Sequence, residues 1–364
     1  MNYYLPTQVF YGKNAVSESA EELKKIGNNA LIVTGRSSAR KSGALEAIVN
    51  KLKELNIEYF VYAEIQENPS LISVEKGVNL CQENNCDFII GIGGGSPIDA
   101  GKAIAMIVGS KIKTSEIYDG TKFISALPLV AVPITSGTGT EATQYSVLTD
   151  TENDKKAGFG SALVFPKISI ANPEFTYSLP KMVTLNTAID ALSHLLEGLY
   201  SQKRNELVNP MLFKGIKLII DNLATVLEDP TNYEAREALM RGSMYGGIVI
   251  AHTGTTLQHS IGYPLTTKFC TPHGLANGIV MKDIMELYYP HAKAGLDELF
   301  DYLKMSKEEF YNWLEQFNLM LNEKLDEELI NYMTSKVMAT RNMALNPLVV
   351  SQEKVKELYR NISL

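Results

Sequence analysis

The chain has 364 residues, 45% of them hydrophobic, and 34 Lys and Arg against 41 Asp and Glu leave a formal net charge of -7. That length favours two hydrophobic cores over one, and an acidic balance with no Lys/Arg-rich tract gives no field for nucleic acid or anionic lipid, which leaves small molecules and further copies of the chain as partners. The opening "MNYYLPTQVFYGKNAV" has no basic-then-apolar leader, no segment reaches the roughly 20 apolar residues of a membrane span, and three cysteines without a C-x-x-C pair fit a reducing compartment, so a soluble cytoplasmic protein is expected.

Between residues 30 and 175, short β-branched runs alternate with helical patterns: "ALIVTG" (30–35), "YFVYAEI" (59–65), "FIIGIGGG" (88–95) and "LPLVAVPIT" (127–135). Runs so uniformly apolar predict a largely parallel sheet covered by helices on both faces. The third run ends at Gly93, Gly94 and Gly95. Ser96-Pro97 then predicts a helix, with Ser as cap and Pro as first residue, that continues through Asp99, Lys102 and Ala105. Glycines without Cβ let backbone N–H groups approach an anion, and the helix N-terminus adds partial positive charge, so the turn suits a phosphate as well as it suits a bare connection. It departs from the usual dinucleotide fingerprint: Ser96 stands where a glycine would, and the motif follows the third run, not the first. The next turn, "VPITSGTGTEAT" (132–143), supplies Thr135, Ser136, Thr138 and Thr140 around two glycines. Hydroxyls and amides of that kind suit a pyrophosphate or ribose, and two such turns together point to a dinucleotide.

After "NPEFTYSLP" the strand signals stop, and segments 181–200, 207–228, 233–262 and 322–340 carry apolar residues at helical spacing. Pro173 and Pro180 mark the changeover. The chain therefore reads as an α/β dinucleotide-binding domain over 1–180 and an all-α domain over 181–364. In "TAIDALSHLLEG", Asp190 and His194 are four apart, on one helix face with Cβ atoms about 5–6 Å apart, which fits a surface hydrogen bond or half of an ion site. His259 is expected near the end of the 233–262 run, broken by Pro264, while His273 follows Pro272 and opens a new run. Asp190, His194, His259 and His273 make a mixed N/O donor set suited to Fe(II) or Zn(II), unlike a thiolate or all-oxygen site. His252, seven residues before His259, is expected on nearly the same helix face, as a group supporting the ligands, a pocket residue or a satisfied polar residue. His291, in "YYPHAK", reads as a surface loop residue. Cys270 reads as a small buried thiol, with a place in the same cleft as the alternative.

These motifs, in this order and almost end to end, resemble the iron-containing (group III) alcohol dehydrogenase family: "LPTQVFYG", "GGGSPIDAGKA", "GTGTE", "NPEFTYSLP", "IDALSHLLEG" and "QH...PHGLAN". The resemblance implies a dehydroquinate synthase-like architecture with metal, nicotinamide and substrate meeting between the two domains, and a homodimer. It implies Asp190, His194, His259 and His273 as the metal ligands, Gly94, Gly95, Ser96 and Asp99 at the pyrophosphate turn, and Thr135 and Thr138 as further cofactor contacts.

The chain departs from the family pattern in three places. Many members carry an acidic residue at the end of the first parallel strand, where this chain has Gly35 followed by Arg36, Ser37, Ser38, Arg40 and Lys41. Losing that carboxylate and gaining hydroxyl and cationic partners favours NADP(H) over NAD(H). Tyr263 stands where many relatives have a further histidine, leaving Tyr263 and His252 as candidates near the reacting centre, although a phenol with pKa near 10 is a poor base unless a metal lowers it. Ile134 and Asn172 replace a common Thr and Asp. The activity implied is hydride transfer between NADP(H) and a small primary alcohol or aldehyde, butanol dehydrogenase-like, with Fe(II) or Zn(II) as Lewis acid. One alternative is a glycerol or other polyol dehydrogenase using NAD and zinc, which calls for more polar groups than Lys268, the sole cation in the segments beside the ligands. The other is a non-catalytic nucleotide-binding scaffold.

Overall fold

The computed structural model describes residues 3–152 and 155–363. Its strands are β1 (Gln8–Tyr11), β2 (Asn29–Gly35), β3 (Glu58–Ile65), β4 (Phe88–Gly93), β5 (Leu129–Pro133), β6 (Tyr145–Asp150), β7 (Lys155–Gly160) and β8 (Ile168–Ala171). Six of them form one parallel sheet in the order β1-β8-β5-β4-β2-β3, while β6 and β7 pair antiparallel as a separate hairpin. Along β2, Leu31 and Val33 pack with Val74 and Ile104 on one face, and Ala30 and Ile32 pack with Ala44, Ile48 and Leu52 on the other. Burial on both faces explains why the runs are apolar without alternation.

The strand order also locates the site. From β2 the chain moves outward to β3, then returns across β2 to β4 and continues to β5 and β8. The sheet therefore reverses direction between β2 and β4, and the crevice outside the carboxyl ends of strands at such a point is where open α/β sheets bind ligands. Both the loop after Gly35 and the turn at Gly94 open onto it.

Four strands carry no clear signal in the sequence: the short β1 and β8, and the hairpin strands β6 and β7. The helix after β4 runs Gly95–Ser110 with Gly94 as its cap, so Ser96 and Pro97 lie inside the first turn and do not start it. Ser96 Oγ instead accepts from the Asn68 N–H at 3.2 Å.

No strand is found after Ala171 among the described residues. The helix Lys181–Tyr200 is buried along nearly its whole length and runs through the core of the helical half, where Leu192 and Leu195 pack with Ile216, Val249 and Ile284. The expected run 233–262 is two helices, Tyr233–Thr253 and Leu257–Phe269, separated at Gly254, whose φ of +67° suits a residue without Cβ. Thr256 and Leu257 pin the break, donating backbone N–H groups to Glu197 Oε1 at 2.6 Å and Asn346 Oδ1 at 2.9 Å. His259 thus stands at the start of a helix, not the end of one; Pro264 sits inside that helix, and His252 belongs to a different helix. His291 is exposed as expected but lies in the helix Met281–Leu303, not in a loop. Cys270 is exposed, correcting the buried reading, whereas Cys81 and Cys86 are buried. No helix among the described residues is long and apolar enough to cross a membrane.

Candidate metal and nucleotide site

Three of the four expected ligands converge. Asp190 projects from the buried helix Lys181–Tyr200, His259 is the third residue of Leu257–Phe269, and His273 opens the helix His273–Ile279. His259 Nε2 and His273 Nε2 lie 3.7 and 3.8 Å from Asp190 Oδ1. Such separations suit two ligand bonds of about 2.0–2.2 Å meeting at one ion. The Asn277 amide nitrogen sits among the same atoms, 3.0 Å from Asp190 Oδ1, 3.1 Å from His259 Nε2 and 3.4 Å from His273 Nε2. An amide has two hydrogens for three acceptors. Three lone pairs gathered on one point fit a cation better, and the N/O donor set suits Fe(II) or Zn(II).

His194 is adjacent but outside this trio. Its ring stacks on His259 with centroids 4.7 Å apart, and its Nδ1 is buried without a partner, an orphaned donor atom at the edge of the cluster. Burial holds the His194 imidazole below its ordinary pKa despite the Asp190 carboxylate, and burial pushes His273 down to about 3. Both rings are therefore neutral, the form in which imidazole binds metals. Burial raises the Asp190 carboxyl, but His194, His273, His259 and the Asn277 bond outweigh it and hold the group below the carboxylate range.

Two residues behind the ligands, Glu197 and Asn277, are absent from the sequence-based expectation. Glu197, fully buried, contacts His259 Nδ1 through Oε2, while its Oε1 accepts from the Thr256 hydroxyl at 2.7 Å. A carboxylate on Nδ1 fixes the tautomer and leaves the Nε2 lone pair facing Asp190. Spacing carried the signal: Asp190, His194 and Glu197 at i, i+4 and i+7 share a helix face, and so do His273 and Asn277 at i, i+4.

At the carboxyl ends of the strands, the two small-residue turns meet. A Cβ on Gly94 would lie 3.2 Å from Thr135 Oγ1, and one on Gly95 would lie 2.9 Å from Thr138 Cγ2, so side chains there would fill the gap between the turns. Ser136 Oγ is buried in the second turn without a partner. This cradle fits a phosphate-bearing cofactor. Asp99, expected at the cofactor, spends its carboxylate within the fold, accepting from Thr140 Oγ1 at 2.7 Å and the Val147 N–H at 2.9 Å. The fully buried Lys102 binds the same loop through Thr140 O at 2.7 Å and Tyr145 O at 2.8 Å. Asn172 caps the Glu174 N–H at 3.0 Å, a local structural task. Arg36, Ser37, Ser38, Arg40 and Lys41 are exposed just beyond β2, next to the half-buried Gly35.

The hairpin connects the two regions. Lys156 on β7 donates to Asn68 Oδ1 at 2.7 Å, beside the phosphate turn, and its Nζ lies 5.9 Å from the Tyr263 ring centroid. Lys156, not the exposed Lys268, is thus the cation nearest the ligands, and burial lowers its pKa to about 8. Tyr263 stacks parallel on His273 at 5.6 Å, and burial raises its phenol above the ordinary value, so it keeps its proton. His252 lies elsewhere: its Nδ1 pairs with Ile248 O at 2.7 Å, its Nε2 accepts from the Tyr4 N–H at 3.0 Å, and its ring stacks on Tyr3. Both nitrogens are spent in docking the segment before β1.

Comparison with known proteins agrees with this arrangement. Residues 6–173 match the family described as "Iron-containing alcohol dehydrogenase", and residues 184–363 match "Fe-containing alcohol dehydrogenase family, C-terminal". The chain is 30% identical over 343 residues to NADH-dependent butanol dehydrogenase A of Clostridium acetobutylicum, covering 90% of this chain and 88% of that protein. It is 30% identical over 341 residues to the NADPH-dependent butanol dehydrogenase of Clostridium saccharobutylicum, covering 91% and 82%. The crystal structure of an iron-containing alcohol dehydrogenase from Thermotoga maritima superimposes with a TM-score of 0.93 at 34% identity, covering 100% of this chain and 99% of that one. With both matches in chain order and the ligands gathered beside the sheet, this chain belongs to the iron-containing alcohol dehydrogenase family.

Proposed function

We propose that this alcohol oxidoreductase interconverts small primary alcohols and aldehydes in the cytoplasm as a homodimer, using NADP(H) in preference to NAD(H). The observation that carries the reading is the convergence of Asp190, His259 and His273 beside the crevice at which the sheet reverses direction. When bound, a divalent ion would supply Lewis acidity and a nicotinamide would supply or accept hydride. Asp190, His259 and His273, with His194 as fourth ligand, would hold the ion, and Glu197 keeps His259 in the binding tautomer. Gly94, Gly95, Ser96, Thr135 and Thr138 would seat the pyrophosphate, with Lys156 and Asn68 bridging toward the ligands. Tyr263 serves as a hydrogen-bond donor, since a protonated phenol cannot act as a base. His252, with both ring nitrogens occupied, is given no part in proton transfer.

The coenzyme preference rests on the loop after β2. Exposed Arg36, Arg40 and Lys41 with Ser37 and Ser38 suit a 2'-phosphate, and Gly35 presents no carboxylate to repel it. The two Clostridium relatives divide between NADH and NADPH, so the loop decides the matter.

Oxidation of NADPH and of NADH by the purified, Fe(II)- or Zn(II)-loaded enzyme with butyraldehyde tests both parts. A higher kcat/KM with NADPH is expected. His259→Ala should remove turnover and bound metal together, as read by elemental analysis. Turnover that survives complete chelation would overturn the metal reading, and a clear NADH preference would overturn the coenzyme reading alone.

A further inference from the structure

Beside the metal cluster, three polar side chains from three separate elements come together with hydrogen-bonding capacity left over. Tyr263, from the helix Leu257–Phe269, lies parallel to the His273 ring and edge-on to the His259 ring, with centroids 5.6 and 6.2 Å away. The Asn342 amide, from the 3-10 segment Arg341–Leu345, faces the phenol oxygen. Asn342 Nδ2 also donates to Thr255 Oγ1 at 2.9 Å, and Thr255 sits in the break after Gly254. All three side chains are half-buried. An amide nitrogen that directs its hydrogens at Thr255 and at the phenol leaves the phenol hydrogen, the Thr255 hydrogen and its own carbonyl unspent.

We propose that Tyr263, Thr255 and Asn342 form a hydroxyl-recognising wall, and that the preferred substrates are short alcohols or aldehydes with a second oxygen near the reacting carbon. This rests on the alcohol dehydrogenase reading above and narrows its substrate class. The Tyr263 ring lies directly against a ligand ring, so the wall meets the carbons next to the reacting one. An apolar tail would cover two O–H donors and a C=O acceptor without pairing them, whereas a second hydroxyl pairs with them as both donor and acceptor. Sites built to bind a substrate hydroxyl discriminate strongly against the analogue that lacks it. Tyr263 and Thr255 would touch the substrate; Asn342 is a positioning residue that orients the phenol.

The test compares 1-propanol, 1,2-propanediol and 1,3-propanediol on the metal-loaded enzyme with saturating coenzyme, separating kcat from KM. Binding of each alcohol to the zinc-loaded protein without coenzyme, followed by ligand-observed NMR, gives a readout independent of turnover. At least one diol should exceed 1-propanol about tenfold in kcat/KM, which corresponds to about 1.4 kcal/mol. Tyr263→Phe should cost that diol about tenfold more than it costs 1-propanol, mostly through KM, and Asn342→Ala should reproduce part of the selective loss. Equal losses on all three alcohols in both variants, or a wild-type preference for 1-propanol, would overturn the wall while leaving the alcohol dehydrogenase reading intact. Failure to turn over or bind any of the three would overturn both.

Discussion

Buried and shut off from water, Glu197 keeps its negative charge because its oxygens are surrounded by His259, the Thr256 hydroxyl and the Thr256 N–H. Burial raises its pKa, yet these partners hold it below the carboxylate range. Glu197→Gln should therefore loosen metal binding by about 10–100-fold while the fold persists, measurable by competition with a chromophoric chelator. Glu141 illustrates the opposite balance: burial dominates and raises its carboxyl to about 7. A carboxyl whose folded pKa lies above its unfolded value binds more protons folded than unfolded between about pH 4.5 and 7, so its contribution to stability falls as pH rises through that window. Glu141→Gln should accordingly raise the melting temperature at pH 8 by a few degrees more than at pH 5, as read by calorimetry at the two pH values. Chemistry-bearing residues were legible in the sequence where type and spacing combined, as for Asp190 with His194. Lys156 and Asn342 were not, because a lone Lys in a hairpin or a lone Asn in a short 3-10 segment acquires meaning only from what the fold places opposite it.

At the scale of elements, the helix Lys181–Tyr200 and the break at Gly254 carry the site. The helix offers Asp190, His194 and Glu197 from one face, and Glu197 then accepts the N–H groups that the break exposes. Helical spacing over 181–200 was legible to the residue, whereas the break was hidden in a run of apolar character that continues on either side of it. A glycine in a helical pattern is ambiguous by itself; the buried carboxylate that makes the interruption favourable comes from far along the chain. Gly139 and Gly247 mark the closest approach between the second small-residue turn and the helix Tyr233–Thr253. A Cβ on Gly247 would collide with the Gly139 backbone, which has no flexible end to yield. Gly247→Ala should cost about 1–3 kcal/mol, visible as a lower denaturant midpoint, with weakened nucleotide binding because the turn must shift.

On the scale of the whole molecule, a parallel sheet whose direction reverses between β2 and β4 sets the phosphate turn, the exposed Arg36–Lys41 loop and the ligand-bearing helices around one crevice. The central strands were readable because both faces are buried. The edge pair β1 and β8 was not, since four-residue strands carry too little periodicity to stand apart from loops. Their pairing also has a kinetic meaning. Gln8 aligns with Ile168, so the first strand must wait for a neighbour synthesised 160 positions later, the difference between those two numbers. At translation rates of about 5–20 residues per second, the earliest segment of a nascent chain spends about 10–30 s with an open edge before its partner emerges. Tyr4, which binds His252, waits longer still. Growing chains of this protein are thus expected to depend on holding chaperones at the ribosome exit, and ribosome-bound chains stalled before residue 168 should remain protease-sensitive through residues 8–11.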